Sequence, residues 1–316
     1  MDLNQKLEHY HRAAVKAVEF QLRHQQPDGG YIWEGYANDA FHKQAYSWAM
    51  SGYYGNAHRL LNWVKAERLE PDGQLKAYNG DCYKHSWFLQ GAHRLGRFDL
   101  TYPVMSFLET VQAPCGGYPL LAKDERVRSL ATAWTGVSAL LMGRMDIAQR
   151  VADWCVNLLE QQPDESRFYC QTTRDGTLCT DGEFIDTAKT KQSYWEISLP
   201  MQHMCRMCMA TGQQQYLDYA GRFFEVKLRC AEDNYSFVGS GKSSLAAALY
   251  YLLTDDKRAR DCCIRYCDFL VETQRKEGGW RDADYGEPDI PLIYLDHAAE
   301  FGVWLQENAA ILASKQ

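Results

Sequence analysis

Long apolar runs are missing from these 316 residues. No stretch reaches about 18 apolar residues, so no membrane-spanning helix is expected. The opening segment, MDLNQKLEHYHRAAVKAVEF, has neither an apolar core nor a small-residue cleavage site, which argues against a signal peptide. Basic tracts are also lacking. A net charge of -7 and a pI near 5.7 speak against a nucleic-acid partner. Nor is there an even cysteine framework. Eleven cysteines in a long chain without an export signal point to reduced thiols in a cytoplasmic protein.

What is present is material for a core. The chain is 46% hydrophobic and 13% aromatic, enough for one large domain or two ordinary ones. A recurring pattern, Leu-x3-Gln-x3-Gly-x-aromatic, decides for one. It is complete at Leu270, Gln274, Gly278 and Trp280, and again at Leu108, Gln112, Gly116 and Tyr118. It survives as Gln25, Gly29 and Tyr31, and as Leu158, Gln162, Ser166 and Phe168 with serine in the glycine position. The turns ERLEPDGQL and LRCAEDNYSF fall where degenerate copies are needed. Repeats of about 40 to 50 residues read as stacked supersecondary units.

Each unit carries two helical patterns. One is amphipathic and charged, as in RVADWCVNLLEQQ; the other is apolar on nearly all faces, as in SLATAWTGVSALLMG. A helix apolar all round is a buried one. Outer helices are expected near 5–24, 56–68, 99–112, 145–161, 214–230 and 257–274. Inner helices are expected near 39–54, 83–95, 129–142, 192–211, 241–254 and 292–306, with Gly55, Gly96, Gly143 and Gly212 closing four of them. Six such hairpins make an all-α (α/α)6 toroid, a single domain over residues 1–316. TTRDGTL adds a small β-hairpin insertion near 168–181, turning at Asp175-Gly176. In each clasp the glycines let the chain turn sharply after the outer helix.

The complete clasp resembles the QW repeat of squalene and oxidosqualene cyclases. The six-hairpin plan resembles the wider terpenoid-cyclase and protein-prenyltransferase toroids, and similar turns occur in carbohydrate-active (α/α)6 barrels. The resemblance implies a central cavity whose mouth is formed by the inner-helix N-termini. Two family signatures are absent. No Asp-x-Asp-Asp acid occurs; the nearest stretches are DADYGEPD and LTDDK. A zinc site of Asp, Cys and His lacks its cysteine, since Tyr235 stands in AEDNYSF where one is wanted. No metal and no cofactor are therefore expected.

The mouth segments supply the candidate chemistry. Asp39 and His42 share a helical face at i, i+3 in the first, which also holds Glu34, Tyr46 and Trp48. Asp81, Tyr83, His85 and Trp87 lie in the second, and Arg126, Arg128 and Trp134 in the third. Asp81 also suits a plain N-cap. The hairpin is expected to put Cys170 and Cys179 on one face as a thiol pair. Tyr194, Trp195 and Glu196 open the next inner helix. Tyr294, Asp296, His297 and Glu300 sit on the otherwise apolar last helix, where charges must be paired or functional. The expected catalytic set is Asp39, His85, Asp296 and His297, then Asp81, Cys170 and Cys179. Tyr46, Trp48, Trp87, Trp134, Tyr194, Trp195, Glu196 and Tyr294 are expected to bind substrate.

Two motifs are decoys. FVGSGKSSLAAAL has Ser236 where a phosphate-binding loop needs glycine, and no apolar strand precedes it. Cys205 and Cys208 have no second pair at metal-site spacing. The expected function is a cofactor-independent cyclase, isomerase or lyase of natural-product type. It would act by acid/base chemistry on a largely apolar small molecule, a terpenoid or polyketide. Aromatic linings serve carbocations and sugar faces alike, so a carbohydrate-active hydrolase, lyase or epimerase is the alternative. Substrate identity and oligomeric state stay open.

Overall fold

The computed structural model describes residues 1–31, 39–281, 286–287 and 289–316, Asp39 through its backbone alone. Among them are twelve α-helices: α1 Leu3–Leu22, α2 Gln44–Met50, α3 Tyr54–Glu67, α4 Cys82–Arg94, α5 Phe98–Val111, α6 Ser129–Leu141, α7 Met145–Glu160, α8 Trp195–Thr211, α9 Gln214–Arg229, α10 Gly241–Thr254, α11 Lys257–Thr273 and α12 Pro291–Ser314. One-turn helices cover Asp39–Phe41, Glu232–Tyr235 and Val238–Ser240. None of the described helices is long and apolar enough to cross a membrane.

The alternation of exposed and buried helices follows the sequence pattern. On α7 the buried residues are Ile147, Ala148, Val151, Ala152, Trp154, Cys155, Leu158 and Leu159, one stripe at helical spacing. On α6 every residue from Ala131 to Ala139 is buried, and on α10 every residue from Gly241 to Leu249. Two boundaries depart from expectation. The first inner helix is not continuous over 39–54: a one-turn helix precedes α2, and Gly52, at φ 81°, makes the turn that Gly55 was expected to make. Gly55 lies in the first turn of α3. The last inner helix runs to Ser314, because Trp304, Leu305, Asn308, Ile311 and Leu312 stay buried.

The residues form two compact units, Met1–Asn79 with Trp87–Phe107 and Cys267–Gln316, and Gly80–Ser86 with Leu108–Tyr266. In the first, α12 packs on α1 and α2, and α2 on α3. In the second, α8 packs on α6, α9 and α10, and α6 on α7.

The clasps have one geometry. Gln274 Nε2 donates to the Gly278 carbonyl at 3.0 Å, Gln25 Nε2 to Gly29 at 2.9 Å, and Gln112 Nε2 to Gly116 at 2.8 Å. A Cβ added at Gly278, Gly29 or Gly116 would stand 2.4, 2.5 or 2.4 Å from the carbonyl oxygen of Lys16, Arg59 or Arg150 on the next outer helix. All three have positive φ, 112°, 98° and 93°. Gly73 in ERLEPDGQL does the same against Pro103, so this turn keeps the glycine of the clasp while Lys65, Leu69 and Leu75 stand at its leucine, glutamine and aromatic positions. The aromatic residue pins the turn back: Trp280 Nε1 donates to Leu270 O at 2.8 Å, and the Tyr31 hydroxyl to Gln21 O at 2.5 Å. The copy with Ser166 lines, together with Asp218, Arg222 and Arg229 of α9, a groove of about 600 Å³.

The insertion is more than a hairpin. The Asp175-Gly176 turn closes, with Thr173 N–H donating to Thr177 O at 2.9 Å. Yet the strands find their main partners elsewhere. Strand β1 (Arg126–Arg128) pairs antiparallel with β3 (Gln171–Thr173), and β2 (Arg167–Tyr169) with β4 (Phe184–Asp186). Three residues, not two, lie inside the turn. Cys179 N–H therefore donates to Gln171 O at 3.0 Å, and Cys170 falls on the opposite face from Cys179. The expected shared face is corrected by this register.

Candidate functional site

In the first unit, α12 and the turn that leads into α2 bring four ionisable side chains together. Lys43 Nζ lies 2.6 Å from Asp296 Oδ2 and 2.7 Å from Glu300 Oε2. His42 Nε2 is 3.6 Å from Asp296 Oδ1. The spacing explains the arrangement: Asp296 and Glu300 are one helical turn apart on α12 and face one cation. Lys43 is 4% exposed, and burial works against its ammonium. Asp296 and Glu300 outweigh that cost and hold its pKa above the usual lysine value. Burial likewise opposes the Asp296 carboxylate, but Lys43 and His42 hold it below the usual carboxylate range. Glu300 also accepts from Trp304 Nε1 at 3.1 Å. Asp296 is the carboxylate that reaches solvent, with 28% of its side chain exposed against 5% for Glu300.

Both neighbouring histidines are oriented. The Tyr78 hydroxyl lies 3.3 Å from His42 Nδ1, which suits a proton on Nε2 facing Asp296. His297 Nδ1 lies 3.2 Å from the Trp280 carbonyl, which only accepts, so this nitrogen carries a proton. Its Nε2 stands 3.1 Å from Glu287 Oε1. Phe301 stacks on the ring at 4.9 Å. Aromatic surface lies beside the charges: Lys43 Nζ is 5.7 Å from the Trp87 ring, and Trp87 is 5.3 Å from Trp304.

The other expected residues of this unit have separate positions. Asp39 opens the one-turn helix, and its side chain, like Glu34, Asp282 and Asp284, lies outside the described residues. Tyr46 donates to Glu307 at 2.6 Å and carries Arg94 on its ring at 3.9 Å. Trp48 is buried against Tyr31 at 5.7 Å. The Tyr294 hydroxyl donates to Asp289 and accepts from Arg275, each at 2.8 Å.

The second unit holds the remaining candidates. Asp81 Oδ1 accepts the Lys84 N–H at 2.9 Å, the N-cap of α4. Buried His85 donates through Nδ1 to the Asp81 carbonyl at 2.7 Å. Glu196 is fully buried and accepts from the Ser129 hydroxyl, from Leu130 N–H at 2.8 Å and from Arg128 Nε at 2.6 Å, capping α6. Trp134 is buried on α6. The Tyr194 hydroxyl lies 2.5 Å from Asp233 Oδ1, and Trp195 lies 5.9 Å from the Lys242 ammonium. Burial, with Glu196 adding to it, pushes the Cys170 thiol well up; burial also raises Cys179. Neither is an activated thiolate. Among the described residues, no group of three His, Cys, Asp or Glu is placed to hold a metal.

Lys43 and Glu287 were missed by sequence reasoning. The signal for Lys43 was indirect: two carboxylates one turn apart on an apolar helix require a cation, and a lysine inside the buried run FHKQAYSW is the available kind. Glu287 sits in an irregular segment with no periodicity to mark it.

No family model matches the chain, and no curated protein matches it. Solved structures do. A D-mannose isomerase is similar at TM-score 0.71 and 13% identity, over 93% of this chain and 96% of that one. The GH76A α-1,6-mannanase of Salegentibacter sp. gives TM-score 0.68 and 14% identity, over 96% and 99%. The type II terpene cyclase MstE from Scytonema, with its geranylgeranyl dihydroxybenzoate substrate, gives 0.61 and 16%, over 98% and 99%. At such identities the likeness concerns the fold. That fold is of the all-α, α/α-toroid class.

Proposed function

We propose that the chain is an enzyme that moves protons on a small molecule, through an isomerase- or lyase-type step at a C–H bond activated by a neighbouring carbonyl. The reading takes residues 1–316 as one domain. The observation that carries it is the cluster around Asp296: a solvent-reaching carboxylate held ionised by Lys43 and His42, one residue from His297. An ionised carboxylate is a base. It is unsuited to delivering a proton to an unactivated alkene, the first step of a type II cyclisation, and suited to taking one from carbon. Asp296, with His42 behind it, is the base of this proposal. His297, oriented by the Trp280 carbonyl at Nδ1 and by Glu287 at Nε2, is the group that returns a proton or polarises the carbonyl in this proposal. Charge and hydrogen-bonding capacity on this scale favour a polyhydroxylated substrate, in keeping with similarity to an isomerase and a mannanase of sugars.

A second reading keeps the apolar terpenoid or polyketide substrate. It is favoured by Trp304, which donates to Glu300, by Trp87, which lies against Trp304 and under the Lys43 ammonium, and by similarity to a terpene cyclase.

One experiment separates them. The protein is incubated in D2O with aldoses, ketoses and uronic acids, and in parallel with polyprenyl phenols, and products are read by mass spectrometry and proton NMR. Deuterium entering a sugar beside its carbonyl is expected, with Asp296→Asn slower by about a hundredfold or more. Cyclised prenyl product with no sugar exchange would move the assignment to the second reading. Exchange unchanged in Asp296→Asn would remove this cluster from the chemistry.

A further inference from the structure

A second buried lysine takes no part in that cluster. Lys227, near the end of α9, is 0% exposed, and no carboxylate stands within ion-pair distance among the described residues. Its Nζ donates to Ser243 Oγ on α10 at 2.9 Å. Ser243 Oγ is 2.8 Å from Ser198 Oγ on α8, and Ser198 Oγ is 2.8 Å from the Tyr194 carbonyl. Two tyrosine rings complete the surroundings, Tyr194 at 4.6 Å and Tyr235 at 5.2 Å.

The direction of this chain follows from its ends. An ammonium only donates, and a carbonyl only accepts. With Lys227 charged, protons run from Nζ to Ser243, from Ser243 to Ser198, and from Ser198 to Tyr194 O. With Lys227 neutral, its lone pair is free to accept from Ser243 and Ser243 from Ser198; the Tyr194 carbonyl then loses its side-chain donor and keeps the Ser198 N–H at 3.2 Å.

The geometry points to Lys227 as a buried proton switch, whose loss of a proton to solvent reverses the Ser243–Ser198 chain and loosens the first turn of α8. The groups facing it from every packed element are few. Tyr194 precedes α8, Ser243 lies on α10, and Asp233 and Tyr235 lie on the one-turn helix Glu232–Tyr235. Cys230 is the residue that follows α9, and Cys262 is on α11. Asp233 is engaged by Tyr194 and by the Lys191 N–H at 2.6 Å, and acts on Lys227 at longer range. The two aromatic faces and Ser243 compensate only part of the lost hydration, and burial pulls the Lys227 pKa down to about 8.

The sign of the stability effect is definite. Below pH 8 the folded chain holds a charge it would rather release. Between about 8 and the ordinary lysine value near 10.4, the folded state gives up its proton before the unfolded one, so stability gains with pH. Lys227→Met, close in volume and without charge, removes that dependence.

Two measurements test this. In the labelled full-length protein, the Lys227 Cε resonance is followed by NMR from pH 6 to 11; a midpoint near 8 is expected. Melting temperatures of wild type and Lys227→Met are compared over the same range. The variant is expected to be the more stable below pH 8, with the wild type gaining on it as pH rises. A Lys227 midpoint at 10 or above overturns the proposal, whether or not the variant folds. A wild-type minus variant difference that stays flat from pH 7 to 10 also overturns it.

Discussion

Lys43 is the residue on which the charged cluster depends. With it removed, Asp296 and Glu300 lose the ammonium that both contact. Lys43→Met is expected to lower stability by about 3 kcal/mol in urea denaturation, because breaking a buried pair strands the remaining charges. The Asp296 pKa should rise in the same variant, visible as an upward shift in its carboxyl resonance. The linkage sign follows. A carboxylate with a depressed folded pKa contributes stability above its unfolded value, lost as pH falls through the folded one. The Lys43→Met penalty should therefore shrink in acid. Asp296, His297 and Glu300 were legible in the sequence, since charges on an apolar helix demand explanation. Their partner was not, because it comes from a turn some 250 positions earlier, and no local pattern specifies a contact at that separation.

The clasp is the unit at the scale of elements. Gly278→Ala faces both a positive φ of 112° and a carbonyl oxygen 2.4 Å from its new Cβ. A loss of about 2 kcal/mol or more is expected, read as a fall in the urea midpoint. Gln112→Ala removes only the donor to Gly116 and the acceptor for Arg150 Nη1 at 2.8 Å, and should cost about 1 kcal/mol. A Gln112→Ala loss as large as that of Gly278→Ala would contradict the view that backbone approach, rather than the glutamine, makes the joint. The glycine-led clasp was readable, since few residues tolerate that φ. The short α2 and long α12 were not: Met50 and Ser314 are endpoints set by what each helix packs against. The sheets were half readable. A turn signal marked Asp175-Gly176, but pairing with Arg126–Arg128 is a distant contact.

At the scale of the whole molecule, acid stability reports the surface charge pattern. Arg144 holds Glu109 and Asp146 below the carboxylate range, Arg222 does so for Glu160, and Arg258 for Asp256. These pairs are largely exposed, so each contributes little and salt screens it. Their shared sign still matters: stability is present above the unfolded carboxylate pKa of roughly 4 and is lost as pH falls through the folded values. The melting temperature is expected to drop between pH 5 and 3, and less steeply in 0.5 M than in 0.05 M salt. Equal slopes at both salt concentrations would assign the acid loss to the buried cluster around Asp296 instead.

The sequence by itself determined the class of architecture. Helical periodicity, all-round apolar helices and glycine turns are local properties, each enforced by backbone sterics or by water, and they sufficed for twelve helices in outer and inner roles. Tertiary structure alone decided which charges meet. Lys43 finds Asp296 and Glu300, Glu196 caps α6, and Cys170 and Cys179 part by one register step. The physical reason is range. Periodicity operates over a few residues, whereas a buried ion pair forms only where packing brings two distant chain segments within a few ångströms and removes the water between them.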